Sequence, residues 1–369
     1  MSDTLPITAA RVTAAALEDE VVRVELADGR VVARHVLALR DGCPCEACRH
    51  PVSGQRLFES SRVLPGLHGV SAHVNDDGSL AVEWSDGHTG VFPPEWFVEP
   101  EGLQVRRWDA SLAESLPEHD WAAVVDDAAA RAAWLRDVAV LGFALLHDVP
   151  TEPGYVERVP ALFGAVRETN YGRFFDVSVA VGATNLADTA LPLSLHTDNP
   201  YRDPTPTLQL LHCLVSELEG GDTVLADGFE AAERLRASSP DAFEALVREP
   251  IRYRYRDAGA ELTAEVPVLS LDATGAVSAL HLNNRSKGVP QGDPERVGAW
   301  YDAYLRLLAL LESPELQVVF RLEPGDLVLM DNLRTLHART GFASTGSRRL
   351  QGCYADRDGL LSTLAVLER

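Results

Sequence analysis

Leu195-His196-Thr197-Asp198-Asn199-Pro200 is the stretch on which the reading of this chain turns. A histidine and an aspartate two residues apart on an extended segment present their side chains to one face, because a strand alternates with a period of two. Together they offer an imidazole and a carboxylate to a divalent ion. A third ligand has to come from elsewhere, and Leu336-His337-Ala338-Arg339 supplies a histidine. Two histidines and one carboxylate on one face of a metal leave coordination positions open, the donor set of non-haem Fe(II) oxygenases. An H-x-D pair alone is a weak signal. It gains weight from Arg348, eleven residues after His337, at the head of Arg348-Arg349-Leu350-Gln351-Gly352-Cys353-Tyr354. A fixed guanidinium fork there suits the distal carboxylate of 2-oxoglutarate.

The 369 residues suffice for one large domain and a smaller one with a full core. With 46% hydrophobic and 24% charged residues, the composition is globular. Acidic residues outnumber basic ones 55 to 33, a net charge of -22, so phosphate backbones and anionic lipid are repelled. Neither a nucleic-acid nor a membrane partner is expected, and basic residues gathered round a small anion would have to work against that field. Met1-Ser2-Asp3-Thr4-Leu5-Pro6 lacks the basic segment and apolar run of a secretory signal. No apolar stretch approaches the roughly 20 residues of a spanning helix. Five cysteines, three of them between positions 43 and 48, do not read as a disulfide framework, which points to a reducing, cytoplasmic compartment.

Residues 1–108 read as a small β-rich domain. Val21–Leu26 and Val31–Val36 flank Ala27-Asp28-Gly29-Arg30 as a hairpin, a second hairpin is expected around Asp76-Asp77-Gly78, and Leu80–Trp84 forms a strand. Between the hairpins, Cys43-Pro44-Cys45-Glu46-Ala47-Cys48 brings three thiolates close enough for a soft tetrahedral metal such as zinc. The fourth ligand is open among His88, His50, His68 and His73. A closed four-ligand site would be structural, and a small β unit gains folding energy from it.

After a proline-rich link the composition changes, and residues 109–369 read as a second domain. Helices are predicted over Asp126–Val140, Tyr155–Val166, Phe229–Val247 and Pro294–Leu311. Strands are predicted over Gly142–Leu146, Thr207–Cys213, Thr223–Ala226, Ile251–Tyr255, Leu316–Leu322 and Leu327–Met330. Many strands, with helices grouped before and between them, argue for a mostly β core decorated by helices rather than a doubly wound sheet. In that core, Thr223 of Gly220-Gly221-Asp222-Thr223 could give a hydroxyl to the same co-substrate as Arg348. The plainer readings are a surface arginine beside Arg349 and an ordinary strand threonine. Tyr171, Phe174, Phe175 and Tyr354 have aromatic faces able to bind a quaternary ammonium group, or are core packing.

These residues carry a resemblance. The chain resembles the γ-butyrobetaine and trimethyllysine dioxygenases through the C-x-C-x-x-C cluster with Trp84, Asp86 and His88, H-T-D-N-P-Y at His196, and L-Q-L-L-H-C at Leu208. G-G-D-T with A-D-G-F between Gly220 and Phe229, D-N-x-R-x-L-H at Asp331 and R-R-L-x-G-x-Y-A-D at Arg348 extend it over nearly the whole chain. The resemblance implies a catalytic domain similar to taurine dioxygenase, a double-stranded β-helix (jelly roll), behind a small zinc-binding N-terminal domain. It implies zinc on Cys43, Cys45, Cys48 and His88, Fe(II) on His196, Asp198 and His337, and 2-oxoglutarate on Arg348 with help from Thr223. O2 is then the other co-substrate, and a homodimer is expected.

The substrate pocket departs from the family pattern. Tyr171 and Tyr354 match two tyrosines of the family's trimethylammonium cage, and Phe175 stands for its tryptophan. The remaining tyrosine, three residues after the pocket asparagine Asn185, is here Asp188. The asparagine for the substrate's anionic end falls on Asn283, and Arg285 stands where an alanine is usual. An added positive group at the anionic end and a negative one at the cationic end favour a more highly charged zwitterion. The chain thus looks most like the enzymes that hydroxylate 2-(trimethylammonio)ethylphosphonate in phosphonate breakdown, with γ-butyrobetaine hydroxylation to carnitine as the alternative. Arg285 and Asp188 could instead pair with each other or be loop charges of no consequence. A further alternative, of another class, is a zinc-stabilised binding protein without turnover.

Overall fold

The computed structural model describes residues 11–98, 102–178, 192–217, 220–341 and 347–369. They form two compact units, Met1–Gly102 and Leu103–Arg369. The division falls ahead of residue 108 because Trp108 is built into the second unit. Its indole Nε1 donates to Leu141 O at 2.6 Å and its ring meets Phe143 edge-on at 5.2 Å.

In the first unit, Val12–Glu18, Val21–Leu26 and Val31–His35 form one antiparallel sheet, and Gly69–Val74, Leu80–Trp84 and Thr89–Phe92 another. Both predicted hairpins form. The strand Val12–Glu18 escaped the sequence reading because its three alanines carry little strand preference. Alternate residues Val22, Val24 and Leu26 are buried with Leu39, Leu80, Val82, Trp84 and Phe92, giving this unit a core of its own.

The second unit is a double-stranded β-helix. Among the described residues its larger sheet runs Phe175–Ser178, Arg348–Ala355, Leu208–Ser216, Leu327–Asp331, Phe143–His147, Glu118–Asp120. The smaller sheet runs Leu193–His196, Thr335–Arg339, Thr223–Asp227, Gln317–Phe320. Phe143, Leu145, Cys213, Val328, Met330 and Leu350 of the first meet Leu225 and Val318 of the second in one buried layer. The alternate residues face outward under helices. Gly228–Ser238, Pro240–Arg248 and Pro294–Leu311 cover Val224, Ala226 and Leu336, while Ala128–Leu141 and Arg357–Leu367 cover Leu208, Leu210, Leu327 and Leu329. Each such leucine contributes roughly 2 kcal/mol by leaving water.

Two predicted helices differ. Phe229–Val247 is two helices, since Pro240 has no N–H to continue the first and starts the second. Tyr155–Val166 is only the short 3-10 turns Tyr155–Arg158 and Pro160–Leu162, interrupted by Pro160. No helix of the described residues is long and apolar enough to cross a membrane.

Candidate active site

His196 ends the edge strand Leu193–His196 of the smaller sheet, and its register partner on Thr335–Arg339 is His337. Direct cross-strand pairing brings the two rings together, with centroids 4.1 Å apart and their planes tilted by 44°. Ser194 O accepts from His196 Nδ1 at 2.9 Å, which fixes the tautomer and leaves Nε2 as the free lone pair. Burial above all pushes the His337 pKa down to about 3, so this imidazole is neutral and available as a ligand.

Asp198 joins them, but not by the pleat argument. The strand stops at His196, and the aspartate lies in the following turn. Asn332 holds it there: its Oδ1 accepts from Asp198 N at 2.7 Å, and its Nδ2 donates to the carbonyls of Asp198 and Pro206, both at 2.9 Å. Asn199 takes a positive φ of 55°, a conformation asparagine tolerates. From the other side, Thr197 N donates to Leu282 O at 2.7 Å. One donor atom from each of His196, Asp198 and His337 lies within 4.8 Å of the others. Two imidazoles and a carboxylate this close fit a divalent non-haem iron. Burial works to raise the Asp198 pKa, yet it lies below the ordinary carboxylate value, with the Tyr354 hydroxyl donating to it, so the group is a carboxylate.

Arg348 reaches the segment that leads into the Thr223 strand. The guanidinium Nη2 donates to Gly221 O at 3.3 Å, two residues before Thr223, which is itself buried. Burial lowers the Arg348 pKa, meaning that its charge is poorly solvated and gains from an anionic partner.

Aromatic rings gather beside Asp198. Phe175 lies 5.3 Å from Tyr354 and 6.0 Å from Tyr171, and Tyr171 meets Tyr255 at 5.6 Å. Tyr201 stacks on Tyr255 at 5.1 Å and shares a 2.8 Å hydroxyl contact with Tyr171. Phe174 instead packs with the outer cluster of the larger sheet. Gly352 makes the box possible: a Cβ there would sit 2.5 Å from the Phe175 ring. Tyr201 and Tyr255 were not singled out in the sequence. The first stands in the quoted H-T-D-N-P-Y run, whereas nothing local marks the second.

The anionic end is more mixed. Asn283 is buried, and its amide is occupied by backbone, donating to Thr197 O at 3.0 Å and accepting from Arg285 N at 3.2 Å. Its visible work is to brace the metal-side turn. Arg285 is exposed, with its charge felt at His337. Asn185 and Asp188 lie outside the described residues.

In the first unit, His88 Nε2 lies 3.3 Å from Cys43 Sγ, 3.7 Å from Cys45 Sγ and 3.5 Å from Cys48 Sγ. His50 points elsewhere, accepting from Ser53 N at 3.1 Å, so the four-way choice of histidine falls on His88. Gly90 leaves the room: a Cβ there would be 2.9 Å from Cys43 Sγ. Burial pushes the Cys43 thiol up to about 12, an environment in which the thiolate needs a cation beside it. Three sulfurs around one imidazole nitrogen fit zinc.

Fold and donor set together define the class: an Fe(II)- and 2-oxoglutarate-dependent dioxygenase. Residues 105–354 match the family described as "Taurine catabolism dioxygenase TauD, TfdA family", and residues 14–98 match "Gamma-butyrobetaine hydroxylase-like, N-terminal". The γ-butyrobetaine dioxygenase of Pseudomonas sp. (strain AK-1) is 38% identical over 361 residues, covering 94% of each chain. Human γ-butyrobetaine dioxygenase is 30% identical, covering 90% of each. Bovine mitochondrial trimethyllysine dioxygenase is 30% identical, covering 89% of this chain and 81% of its own. The chain belongs to the TauD, TfdA dioxygenase family and is of the γ-butyrobetaine dioxygenase type. The reading as a binding protein without turnover is set aside by these matches.

Proposed function

We propose that the chain hydroxylates a C–H bond of a small trimethylammonium zwitterion, with Fe(II) on His196, Asp198 and His337 and 2-oxoglutarate on Arg348 and Thr223. Zinc on Cys43, Cys45, Cys48 and His88 is structural. The observation that carries this reading is the cross-strand pair His196–His337 closing on Asp198 beside a box of aromatic rings. When bound, iron and 2-oxoglutarate supply the oxidising power for the C–H bond. The chain's part is placement. Tyr171, Phe175 and Tyr354 offer π faces to the cation, each cation–π contact worth about 1 kcal/mol or more once desolvated. Arg348 draws the co-substrate carboxylate against the acidic field, and the buried layer around Leu225 and Leu350 excludes water.

Two substrates fit this site. Arg285 adds a charge that a phosphonate, near a double negative charge, exploits better than a carboxylate, which favours 2-(trimethylammonio)ethylphosphonate. The names of the relatives support γ-butyrobetaine at least as well. A panel of both compounds with trimethyllysine, read as substrate-dependent succinate, decides between them. Arg285→Ala should cut kcat/KM for the phosphonate about tenfold more than for γ-butyrobetaine, the worth of one partly exposed charge-assisted contact; equal losses remove the phosphonate preference. An anaerobic Fe(II) and 2-oxoglutarate titration without a metal-to-ligand charge-transfer band would refute the site itself. Residence in the cytoplasm is supported by three cysteines gathered as thiols round His88. The expected homodimer is tested by light scattering.

A further inference from the structure

Asp198 has two carboxylate oxygens, and the structure treats them differently. Oδ1 faces His196 Nε2 at 3.4 Å. Oδ2 accepts from Gln209 Nε2 at 2.7 Å and from the Tyr354 hydroxyl at 2.8 Å. Gln209 and Tyr354 are direct register partners on Leu208–Ser216 and Arg348–Ala355 of the larger sheet, and they are only 2% and 4% exposed. The iron-binding residues stand on or beside the smaller sheet, so these two donors reach Asp198 from the opposite one.

We infer that Gln209 and Tyr354 are positioning residues that clamp Asp198 as a one-oxygen ligand, and that Tyr354 thereby serves both the metal and the aromatic box. The inference rests on the iron assignment above. A carboxylate free to turn can offer both oxygens to a cation and so occupy a position that a bidentate co-substrate needs. Two donors on Oδ2 engage its lone pairs and hold the plane of the group, leaving Oδ1 to face the imidazoles. A glutamate at 209 would be of similar size but would set a like charge against Asp198, so the neutral amide is the side chain that can donate here. The Tyr354 ring, meanwhile, lies 5.3 Å from Phe175 in the box. Its hydroxyl and its face are thus committed to different ligands.

The test is anaerobic Fe(II) binding by calorimetry, together with the charge-transfer band of the Fe(II)–2-oxoglutarate complex, on the full chain. Tyr354→Phe keeps the ring and removes the hydroxyl; Gln209→Met keeps the length and removes the donor. Each is expected to weaken Fe(II) binding about tenfold or more and to shift the band, with the double variant worse than either. Phe175→Leu disturbs the box without touching the donors to Asp198, and should leave Fe(II) affinity within about twofold of the starting protein while raising KM. Melting of the metal-free proteins identifies any variant that fails to fold, and Tyr354→Phe is mild enough to carry the test alone. Unchanged Fe(II) affinity and band in Tyr354→Phe and Gln209→Met would overturn the clamp, as would an equal loss in Phe175→Leu. If the unsubstituted protein takes up no Fe(II), the iron assignment falls first and takes the clamp with it.

Discussion

At the scale of single residues, side chains that touch no substrate fix the geometry of those expected to. Asn332 is the clearest case. It is 1% exposed, and its amide ties the main chain of Asp198 to Pro206. Replacing it with alanine strands a buried N–H and two carbonyls, so Asn332→Ala should cost roughly 3 kcal/mol, read by urea unfolding of the metal-free protein. The same variant should weaken Fe(II) binding, because the turn that presents Asp198 then loses its main-chain tie and keeps the contacts through Thr197 and Asn283 and the side-chain donors to Asp198. The sequence named the ligand but not its brace. H-x-D reads as a pleated pair, whereas a turn fixed from a distant loop does the placing.

At the scale of elements, register is what assembles the site. His196 opposite His337, and Gln209 opposite Tyr354, are each one antiparallel pairing, and a slip of one residue would turn all four side chains to the wrong face. Arg334 secures the register of the smaller sheet. Its guanidinium donates to both Asp227 oxygens, at 3.1 and 2.8 Å, and to the carbonyls of Val140 and Arg106. Asp227 also accepts from Trp108 N and caps the helix Gly228–Ser238 by accepting from Phe229 N. The ion pair is buried, at 2% and 0% side-chain exposure, so Arg334→Met leaves the Asp227 charge out of solvent and without its counter-ion, held only by the two backbone N–H groups of Trp108 and Phe229 among the described residues. It should lose roughly 3–5 kcal/mol, whereas changing Arg334 and Asp227 together to apolar residues should lose less than the sum of the single changes. A double-mutant cycle in urea checks this; additive losses would mean the pair does not act as one clamp.

At the scale of the whole molecule, two units with separate cores should respond separately. The first has a small core beside a set of three cysteines and a histidine that fits one zinc ion, and the second has its β layers. A strong chelator is therefore expected to abolish one thermal transition and leave the other near its original temperature. A single transition displaced as a whole would contradict this. Acid acts on the second unit through His281, where burial pushes the pKa down to about 4 from an ordinary 6.5. Above about pH 6.5 the imidazole is neutral whether folded or not. Below that, the unfolded chain binds a proton that the folded one refuses, so stability declines as pH falls from 6.5 towards 4, by roughly 3 kcal/mol in all. His212, buried and likewise lowered, adds in the same direction. Urea midpoints across this range should fall with acid in the parent protein and fall less in His281→Leu.

Much of this protein was legible from residue types and spacings, because ligand chemistry is local. Three cysteines within six positions, H-x-D, a later histidine and an arginine after it are enough to name two metals and a co-substrate. Hairpin turns and the long amphipathic helix Pro294–Leu311 were legible for the same reason, since their causes lie within a few residues. What only the tertiary structure decided was who stands opposite whom. The rings of Tyr201 and Tyr255, the brace from Asn332 and the donors on Asp198 join segments from eleven to more than a hundred residues apart. Their proximity is set by strand register and by turns fixed at long range, and a linear pattern carries no term for that.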